Sequence, residues 1–297
     1  MSHNFLIIMA LVLAAASSLL ADEQFSIVTP QWVAQHTNDP NIRILDVRSE
    51  PADYFPGHVP NAVNFADNTV RGPQNGIPVQ YLPNDMLAAL LARAGVTNDD
   101  SVVVYSDGAA VLGATMVAYT LERIGHPRVM VMDGGWSDYK ASGAPVTQQY
   151  PTYQNGQLTV KNNPSISITM DEVYRSMGKP GVTIIDARPP AAYAGETKSW
   201  MRSGHIPGAI NIDWHTLMDP NNLHKFKPLD QIRKIYTDKG VKGTEDIILY
   251  CGTSREASLE YAVMRHMLGF QKVRLYEGSW TEWSSNPNMP VETGNPR

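Results

Sequence analysis

One residue in this sequence, Cys251, has both the side chain and the setting for nucleophilic chemistry. It follows the apolar run Ile247–Tyr250 and precedes Gly252, Thr253 and Ser254, three small residues that can form a loop around an anion. Where a core strand ends and a helix begins, converging backbone N–H groups and the helix dipole lower the pKa of a thiol. A buried inert thiol is the alternative, but the small neighbours favour a reactive cysteine.

Composition narrows the chemistry further. The chain has 297 residues, one cysteine and a formal net charge of −5. A single cysteine excludes an internal disulfide, a CxxC redox pair and a multi-thiolate zinc site. The acidic balance offers no basic surface for nucleic acid, so we expect no nucleic-acid partner. At about 150 residues per domain, the length predicts two domains.

The elements that position the cysteine occur twice. The block Ile44–Phe65 reappears as Ile184–Ile212, and the block Ser101–Tyr139 reappears as Glu245–Trp283 with a constant shift of 144 residues. Each copy alternates short apolar runs with helical patterns, as in a βαβ unit whose strands are buried in a parallel sheet. We therefore predict an α/β fold of two tandem domains, each a mainly parallel sheet flanked by helices.

The repeat also predicts the domain boundaries. An N-terminal domain spans residues 24–146, a linker without periodicity spans residues 147–165, and a C-terminal domain spans residues 166–293. The shift of 144 residues places Cys251 opposite Asp107. Only the second copy therefore carries a nucleophile, and we expect the chemistry to reside there.

The N-terminal segment is typical of an export signal. Residues 5–20 carry no charge, and polar residues follow at once. This pattern predicts a signal peptide over residues 1–21 and a periplasmic or secreted protein, without stable membrane association once the signal is removed. The stretch is shorter than the about 20 apolar residues of a spanning helix, which makes an uncleaved anchor the weaker alternative.

The order of these motifs resembles the rhodanese family, in particular its tandem-domain thiosulfate and 3-mercaptopyruvate sulfurtransferases. The similar segments are DVR and DAR, GHVPNA and GHIPGA, the strand–cysteine–loop–helix unit, and DGGWSDY and EGSWTEW. The resemblance implies a catalytic C-terminal domain and an N-terminal domain with an acidic residue in place of the nucleophile. It also implies a persulfide on Cys251, formed with no metal and no organic cofactor.

The loop after the cysteine is expected to bind the substrate and the persulfide. Its backbone amides would stabilise the anionic sulfur as oxyanion-hole donors stabilise an alkoxide. The residues concerned are Gly252, Thr253, Ser254 and Glu256. Arg188, which the first copy repeats as Arg48, is expected to brace this loop by pairing with Asp186 or a neighbouring carboxylate.

Two departures from the family concern the cations that would bind an anionic donor. Thr253 stands where thiosulfate-type members carry a basic residue, and Ala192 stands where both types place an arginine. We expect Arg255, inside the loop, or Arg202, in the seven-residue insertion of the second copy, to replace the missing charge. A solvated Arg255 paired with a nearby glutamate is the alternative.

These observations predict transfer of a sulfane sulfur from thiosulfate to cyanide or to a thiol, including a protein thiol. A 3-mercaptopyruvate sulfurtransferase is the alternative within the same chemistry. A carrier of sulfur or selenium that loads once without turnover would begin with the same step. A cysteine phosphatase is disfavoured, because its phosphate loop needs C-x5-R spacing and Cys251 and Arg255 have C-x3-R spacing.

Overall fold

The computed structural model describes residues 25–295, so the predicted signal peptide at residues 1–21 lies outside the described residues and stays a prediction. The strands of the N-terminal half are β1 (Phe25–Val28), β2 (Ile42–Asp46), β3 (Ala62–Asn64), β4 (Arg71–Gln74), β5 (Ile77–Tyr81), β6 (Ser101–Tyr105) and β7 (Val129–Met132). Its helices are α1 (Pro30–His36), α2 (Pro51–Tyr54), α3 (Asn84–Arg93), α4 (Gly113–Arg123) and α5 (Gly135–Ala141).

The C-terminal half repeats this order. Its strands are β8 (Ser167–Ile168), β9 (Val182–Asp186), β10 (Ile210–Asn211), β11 (Met218–Asp219), β12 (Asn222–Phe226), β13 (Asp246–Tyr250) and β14 (Val273–Tyr276). Its helices are α6 (Met170–Ser176), α7 (Pro190–Ala194), α8 (Leu229–Asp238), α9 (Arg255–Ala262) and α10 (Ser279–Ser285). A π-helical turn, Val263–Met267, continues α9.

Each half forms one five-stranded sheet in which every pairing is parallel. The strand order is β1-β7-β6-β2-β3 in the first sheet and β8-β14-β13-β9-β10 in the second. The central strands β6 and β13 are the apolar runs of the two copies, and both are almost wholly buried because helices cover both faces of the sheet. The predicted α/β fold of two tandem domains is confirmed.

The first helix of each domain begins at a side-chain cap. Thr29 caps α1 by accepting a hydrogen bond from the Trp32 amide at 3.1 Å, with Pro30 as the first helical residue. Thr169 and Glu172 form a reciprocal capping box at the start of α6. Each cap satisfies N–H groups that have no partner inside their own helix.

The predicted linker, residues 147–165, is irregular up to a short 3-10 turn at Pro164–Ile166, but it is not a free tether. It packs along the N-terminal domain, where Arg43 lies 3.6 Å above the ring of Tyr153. The amide of Gly156 donates to the carbonyl of Ala92 at 2.7 Å. The segment therefore belongs structurally to the first domain.

The two domains share a continuous core, in which α4 of the first domain packs on α9 of the second. Polar contacts reinforce this interface, such as the hydrogen bond from the Tyr261 hydroxyl to Glu122 at 2.8 Å. Each domain also extends an antiparallel hairpin, β4–β5 or β11–β12, that contacts the strand-end loop of the other domain. Within residues 25–295, no helix is long and apolar enough to cross a membrane.

Candidate active site

Cys251 lies directly after β13, at the carboxyl edge of the second sheet. Its side chain is fully buried. The amide of Cys251 donates to Ser279 Oγ at 3.3 Å, and its carbonyl accepts from the Trp280 amide at 2.9 Å. The carbonyl of Gly252 accepts from both the amide and the hydroxyl of Thr281, at 3.0 and 2.8 Å. The start of the cysteine loop is thus fastened to the first turn of α10.

The loop turns sharply before α9 begins. Ser254 has a φ of +69°, in the left-handed region that non-glycine residues seldom adopt, and such strain is typical of functional loops. This turn brings the amides of Thr253 and Ala257 to the sulfur of Cys251. Of the loop residues predicted to stabilise the sulfur, Thr253 places its amide there, and Ala257 lies just beyond the predicted stretch. That these amides bind a persulfide stays a prediction.

The electrostatic environment of the thiol differs from the expectation. Burial raises the pKa of Cys251 well above its ordinary value, and the nearby carboxylate of Glu256 raises this pKa further. The two loop amides act in the opposite direction but are weaker. The prediction of a lowered pKa was wrong, because burial and one carboxylate outweigh the loop amides. The resting form is therefore the protonated thiol.

A pH dependence follows from this environment. The rate at which iodoacetamide alkylates Cys251 is expected to rise continuously from about pH 6 to about pH 9, because only the thiolate reacts and its pKa lies above that range. Glu256→Gln removes the carboxylate that raises the pKa and should move the curve to lower pH. Mass spectrometry of the single cysteine measures the rate.

The control for this experiment is Asp238→Asn, which changes an exposed carboxylate on α8. It should leave the alkylation curve in place. A curve that stays put in Glu256→Gln, or moves to higher pH, would contradict the assigned role of the glutamate.

Gly252 is required by the close approach of Trp200. A Cβ atom on Gly252 would lie 2.5 Å from Cζ2 of Trp200, so any larger residue would displace the indole ring. Trp200 donates from Nε1 to Thr281 Oγ1 at 3.3 Å and lies in the insertion of the second copy. Sequence reasoning missed this tryptophan. The sequence feature that could have identified it is that Trp200 is an aromatic residue within the insertion found only in the second copy.

Arg188 braces the site as expected. Its Nε and Nη2 donate to the buried carboxylate of Asp186 at 2.9 and 2.5 Å, and Nη2 also donates to the Gly204 carbonyl at 2.7 Å. The guanidinium lies 4.8 Å from the ring centre of Trp280 and 5.4 Å from that of Trp200. Its Nη1 has no hydrogen-bond partner among the described residues, so one N–H direction remains for a ligand.

Arg255 does not occupy the position predicted for it. Its guanidinium crosses to the N-terminal domain, where it forms an ion pair with the buried carboxylate of Asp67 and donates to the Val111 carbonyl at 2.8 Å. Arg255 is therefore neither the predicted substrate-binding arginine nor the solvated arginine of the alternative prediction. Arg255 points to the neighbouring domain because Asp67 is a buried carboxylate there, and leaving a buried carboxylate unpaired costs free energy.

Arg202 is likewise engaged elsewhere. It donates four hydrogen bonds to backbone carbonyls at the end of α10 and just beyond it, namely those of Trp283, Ser284, Asn286 and Met289, at 2.5–2.9 Å. The last carbonyls of a helix have no partner within the helix, and a guanidinium with several donors satisfies them. The prediction of Arg202 as a substrate cation is corrected to a structural cap.

The cation that reaches the cysteine loop is Arg71, at the start of β4 in the other domain. Its Nη1 donates to the Thr253 carbonyl at 2.8 Å, and its charge interacts with Cys251. Sequence reasoning missed Arg71. The shift of 147 residues that aligns His58 with His205 places Arg71 opposite Met218. The sequence therefore shows a charged residue in one copy and an apolar residue in the other, but it does not show that Arg71 contacts the other domain.

The strand register also corrects the counterpart of the nucleophile. Tyr105 pairs with Asp46 just as Tyr250 pairs with Asp186, which places Ser106, not Asp107, in the position of Cys251. The amide of Trp136 donates to the Ser106 carbonyl at 3.0 Å, as that of Trp280 donates to Cys251. The ungapped alignment was one residue off because the first copy has a longer loop before its helix.

Asp107 belongs to a closed polar contact in the first domain. It accepts a hydrogen bond from Ser137 Oγ at 2.8 Å and lies 3.5 Å from Nδ1 of His224, which the β11–β12 hairpin contributes from the other domain. No group of His, Cys, Asp and Glu side chains in the described part of the chain could hold a metal ion.

Comparisons with known proteins agree with this geometry. A profile of the rhodanese-like domain matches residues 29–142 and 169–286. A putative thiosulfate sulfurtransferase from Synechococcus elongatus is 47% identical, over 94% of this chain and 88% of its own. The sulfur carrier protein TtuD from Thermus thermophilus is 30% identical, over 90% of this chain and 96% of its own. A solved 3-mercaptopyruvate sulfotransferase from Escherichia coli superposes with a TM-score of 0.76 at 27% identity, covering 86% of this chain and 98% of that one.

Proposed function

The chain belongs to the rhodanese family and is a sulfurtransferase, and from that premise we propose that it moves the outer sulfur of thiosulfate to cyanide or a thiol through a persulfide on Cys251. The observation that carries the proposal is the setting of this thiol. It lies at the end of the central strand, with the two loop amides of Thr253 and Ala257 aimed at its sulfur.

The first half-reaction loads the enzyme. The Cys251 thiol loses its proton to solvent, and the resulting thiolate attacks the outer sulfur of thiosulfate. The S–S bond of thiosulfate breaks, its bonding pair leaves with sulfite, and a new S–S bond joins that sulfur to Cys251. The terminal sulfur of this persulfide is an anion, which the amides of Thr253 and Ala257 stabilise.

The second half-reaction unloads it. Cyanide attacks the terminal sulfur, the S–S bond of the persulfide breaks, and thiocyanate leaves while its bonding pair returns to Cys251. A thiol acceptor takes the same sulfur as its own persulfide. In the first step the Cys251 thiolate replaces sulfite at the transferred sulfur, and in the second step the acceptor replaces Cys251. Each step is a substitution at sulfur, so neither requires an oxidant or a reductant.

A carrier that hands its sulfur to a partner protein is the second candidate, and the named function of the Thermus thermophilus relative favours it. The full burial of Cys251 opposes it, because a protein thiol must approach the persulfide closely. A small acceptor can reach a buried sulfur with a smaller rearrangement. We therefore place the enzyme with small-molecule substrates first.

The test is a pair of assays on the full-length protein. Stoichiometric thiosulfate should release one equivalent of sulfite and add the mass of one sulfur atom to Cys251. Excess thiosulfate and cyanide should then give sustained thiocyanate formation with ping-pong kinetics. Loading without turnover would support the carrier, faster turnover with 3-mercaptopyruvate would make that the donor, and no added sulfur with either donor would overturn the proposal.

A further inference from the structure

The hairpin β4–β5 of the N-terminal domain enters the active site of the C-terminal domain. Resting on the proposed function, we infer that this hairpin supplies the binding site for the anionic end of the sulfur donor, through Arg71 and Tyr81. The two residues face each other as a cross-strand pair at the base of the hairpin. Arg71 is anchored to the cysteine loop by its hydrogen bond to the Thr253 carbonyl. The site is therefore completed by a domain that has no nucleophile of its own.

Both side chains keep an unused hydrogen-bond donor inside the protein. Nε of Arg71 and the hydroxyl of Tyr81 are buried, and neither has a hydrogen-bond partner within residues 25–295. Tyr81 is 5% exposed. Buried N–H and O–H groups are normally paired, so two orphaned donors on a hairpin that contacts the cysteine loop indicate a ligand that accepts hydrogen bonds.

The charges around the hairpin point to an anion. Arg71 lies close enough to Arg255 to be repelled by it, and the nearby carboxylate of Asp67 is already ion-paired with Arg255. Burial, and then repulsion from Arg255, lower the pKa of Arg71 despite the opposing effects of nearby acidic groups. A bound anion would relieve this destabilisation, since an opposite charge favours the charged form of a buried group.

Tyr81 also connects the site to the space between the domains. Together with Arg123 and Glu277 it lines a cavity of about 330 Å³ to which both domains contribute. Cys251 and Arg71 both affect the ionisation of Tyr81, which places its phenol in the electrostatic field of the active site. A small anion that approaches between the domains would meet this side chain.

The duplicated half provides an internal comparison. In the hairpin β11–β12, the residues equivalent to Arg71 and Tyr81 are Met218 and Phe226, which form the same cross-strand pair. They line a cavity of about 20 Å³ beside Ser106, which stands in the position of the nucleophile. At this cross-strand position the domain without a nucleophile thus receives an apolar pair, although His224 of the same hairpin reaches Asp107. The domain with a nucleophile receives two hydrogen-bond donors and a charge at that position.

The proposed ligand group is an anionic oxygen-bearing end, such as the sulfonate of thiosulfate or the carboxylate of 3-mercaptopyruvate. With thiosulfate, this end departs as sulfite, so the charge that Arg71 meets grows as the S–S bond breaks. The arginine should then stabilise the transition state more than the bound donor. This chemistry is shared by both donors, and the assays separate them.

The test uses Arg71→Met and Tyr81→Phe, which introduce the residue types that the other hairpin has at the same positions. The control is Arg93→Met, which changes an exposed arginine at the end of α3. For persulfide formation from thiosulfate, kcat/KM should fall about 100-fold in Arg71→Met and about 10-fold in Tyr81→Phe. It should be unchanged in Arg93→Met. The assays are repeated with 3-mercaptopyruvate, and the donor whose kcat/KM falls more in these variants is the one whose anionic end the hairpin binds.

A second readout does not depend on sulfur transfer. Iodoacetate and iodoacetamide alkylate the single cysteine by the same reaction and differ in charge, so the ratio of their rates reports anion binding beside Cys251. Arg71→Met should lower the iodoacetate-to-iodoacetamide ratio about 10-fold or more, and Arg93→Met should not. This ratio tests the anion site even if thiosulfate proves not to be a donor.

The outcomes are distinguishable. An unchanged alkylation ratio in Arg71→Met, or equal slowing with both reagents, would overturn the inference and leave the hairpin a structural contact. A lowered ratio in a protein that forms no persulfide would retain the anion site and reject the proposed function. If Arg71→Met does not fold, Arg71→Lys keeps the charge but loses the Nε donor, and it should lower the ratio less than tenfold while weakening thiosulfate binding.

Discussion

Cys251→Ser is expected to abolish sulfur transfer, lowering kcat/KM with thiosulfate and cyanide by at least about 10⁴-fold. The serine hydroxyl has nearly the same shape as the thiol, so the buried loop should retain its hydrogen bonds to Ser279 and Trp280. It cannot form a persulfide, because its oxygen is a poor nucleophile at neutral pH. Thiocyanate formation and the mass of the protein after thiosulfate treatment measure the effect.

The matched control is Ser106→Ala, which changes the residue in the equivalent position of the first domain. Ser106 is buried at the end of β6, and its carbonyl accepts the same tryptophan amide hydrogen bond as that of Cys251. The substitution keeps the backbone contact and should leave turnover unchanged. Sulfite release that persists in Cys251→Ser, or a loss of turnover in Ser106→Ala, would move the chemistry away from Cys251.

The sequence was sufficient for the fold and for the position of Cys251 at a strand end, because both depend on local patterns. Short stretches of sequence are enough to predict a buried strand, a helix cap or a repeated block. Cys251 directly follows one of the predicted strands. The pairing of Arg188 with Asp186 could also be predicted, since two residues on one extended segment must lie close and the first copy repeats the pair as Arg48 and Asp46.

The cations could not be assigned in this way, because their partners come from the other domain. The position of Arg255 in the loop suggested a substrate contact, but spacing does not reveal where a long side chain points. Its partner Asp67 lies 188 residues away in sequence. Arg71 was missed for the same reason, since nothing in its own neighbourhood indicates that its hairpin crosses to Thr253.

The exchange of hairpins explains how a duplicated fold can keep one active site. The register places equivalent backbone around Ser106 and Cys251, so the scaffold alone does not decide which half is active. The side chains delivered by the opposite hairpin differ: the first domain receives Met218 and Phe226, and the second receives Arg71 and a tyrosine. Under the proposed function, both domains therefore contribute to the difference between the two halves.

The duplication also separates stability from activity at the buried ion pairs. Arg188→Met should lower the free energy of unfolding by about 3–5 kcal/mol, because it leaves the fully buried carboxylate of Asp186 without its partner. Arg48→Met should cost about as much, since Arg48 makes the same contacts to Asp46 and to a backbone carbonyl. Urea unfolding of each full-length variant measures the loss.

Activity should distinguish the two variants where both remain folded. Arg188 stacks between Trp200 and Trp280, which hold the cysteine loop, so Arg188→Met should lower kcat/KM for thiosulfate by about 100-fold or more. Arg48 stacks on Trp136 in the half without a nucleophile, so Arg48→Met should retain most of its turnover per folded molecule. Equal turnover in the two variants would show that the buried pair beside Cys251 serves the fold alone.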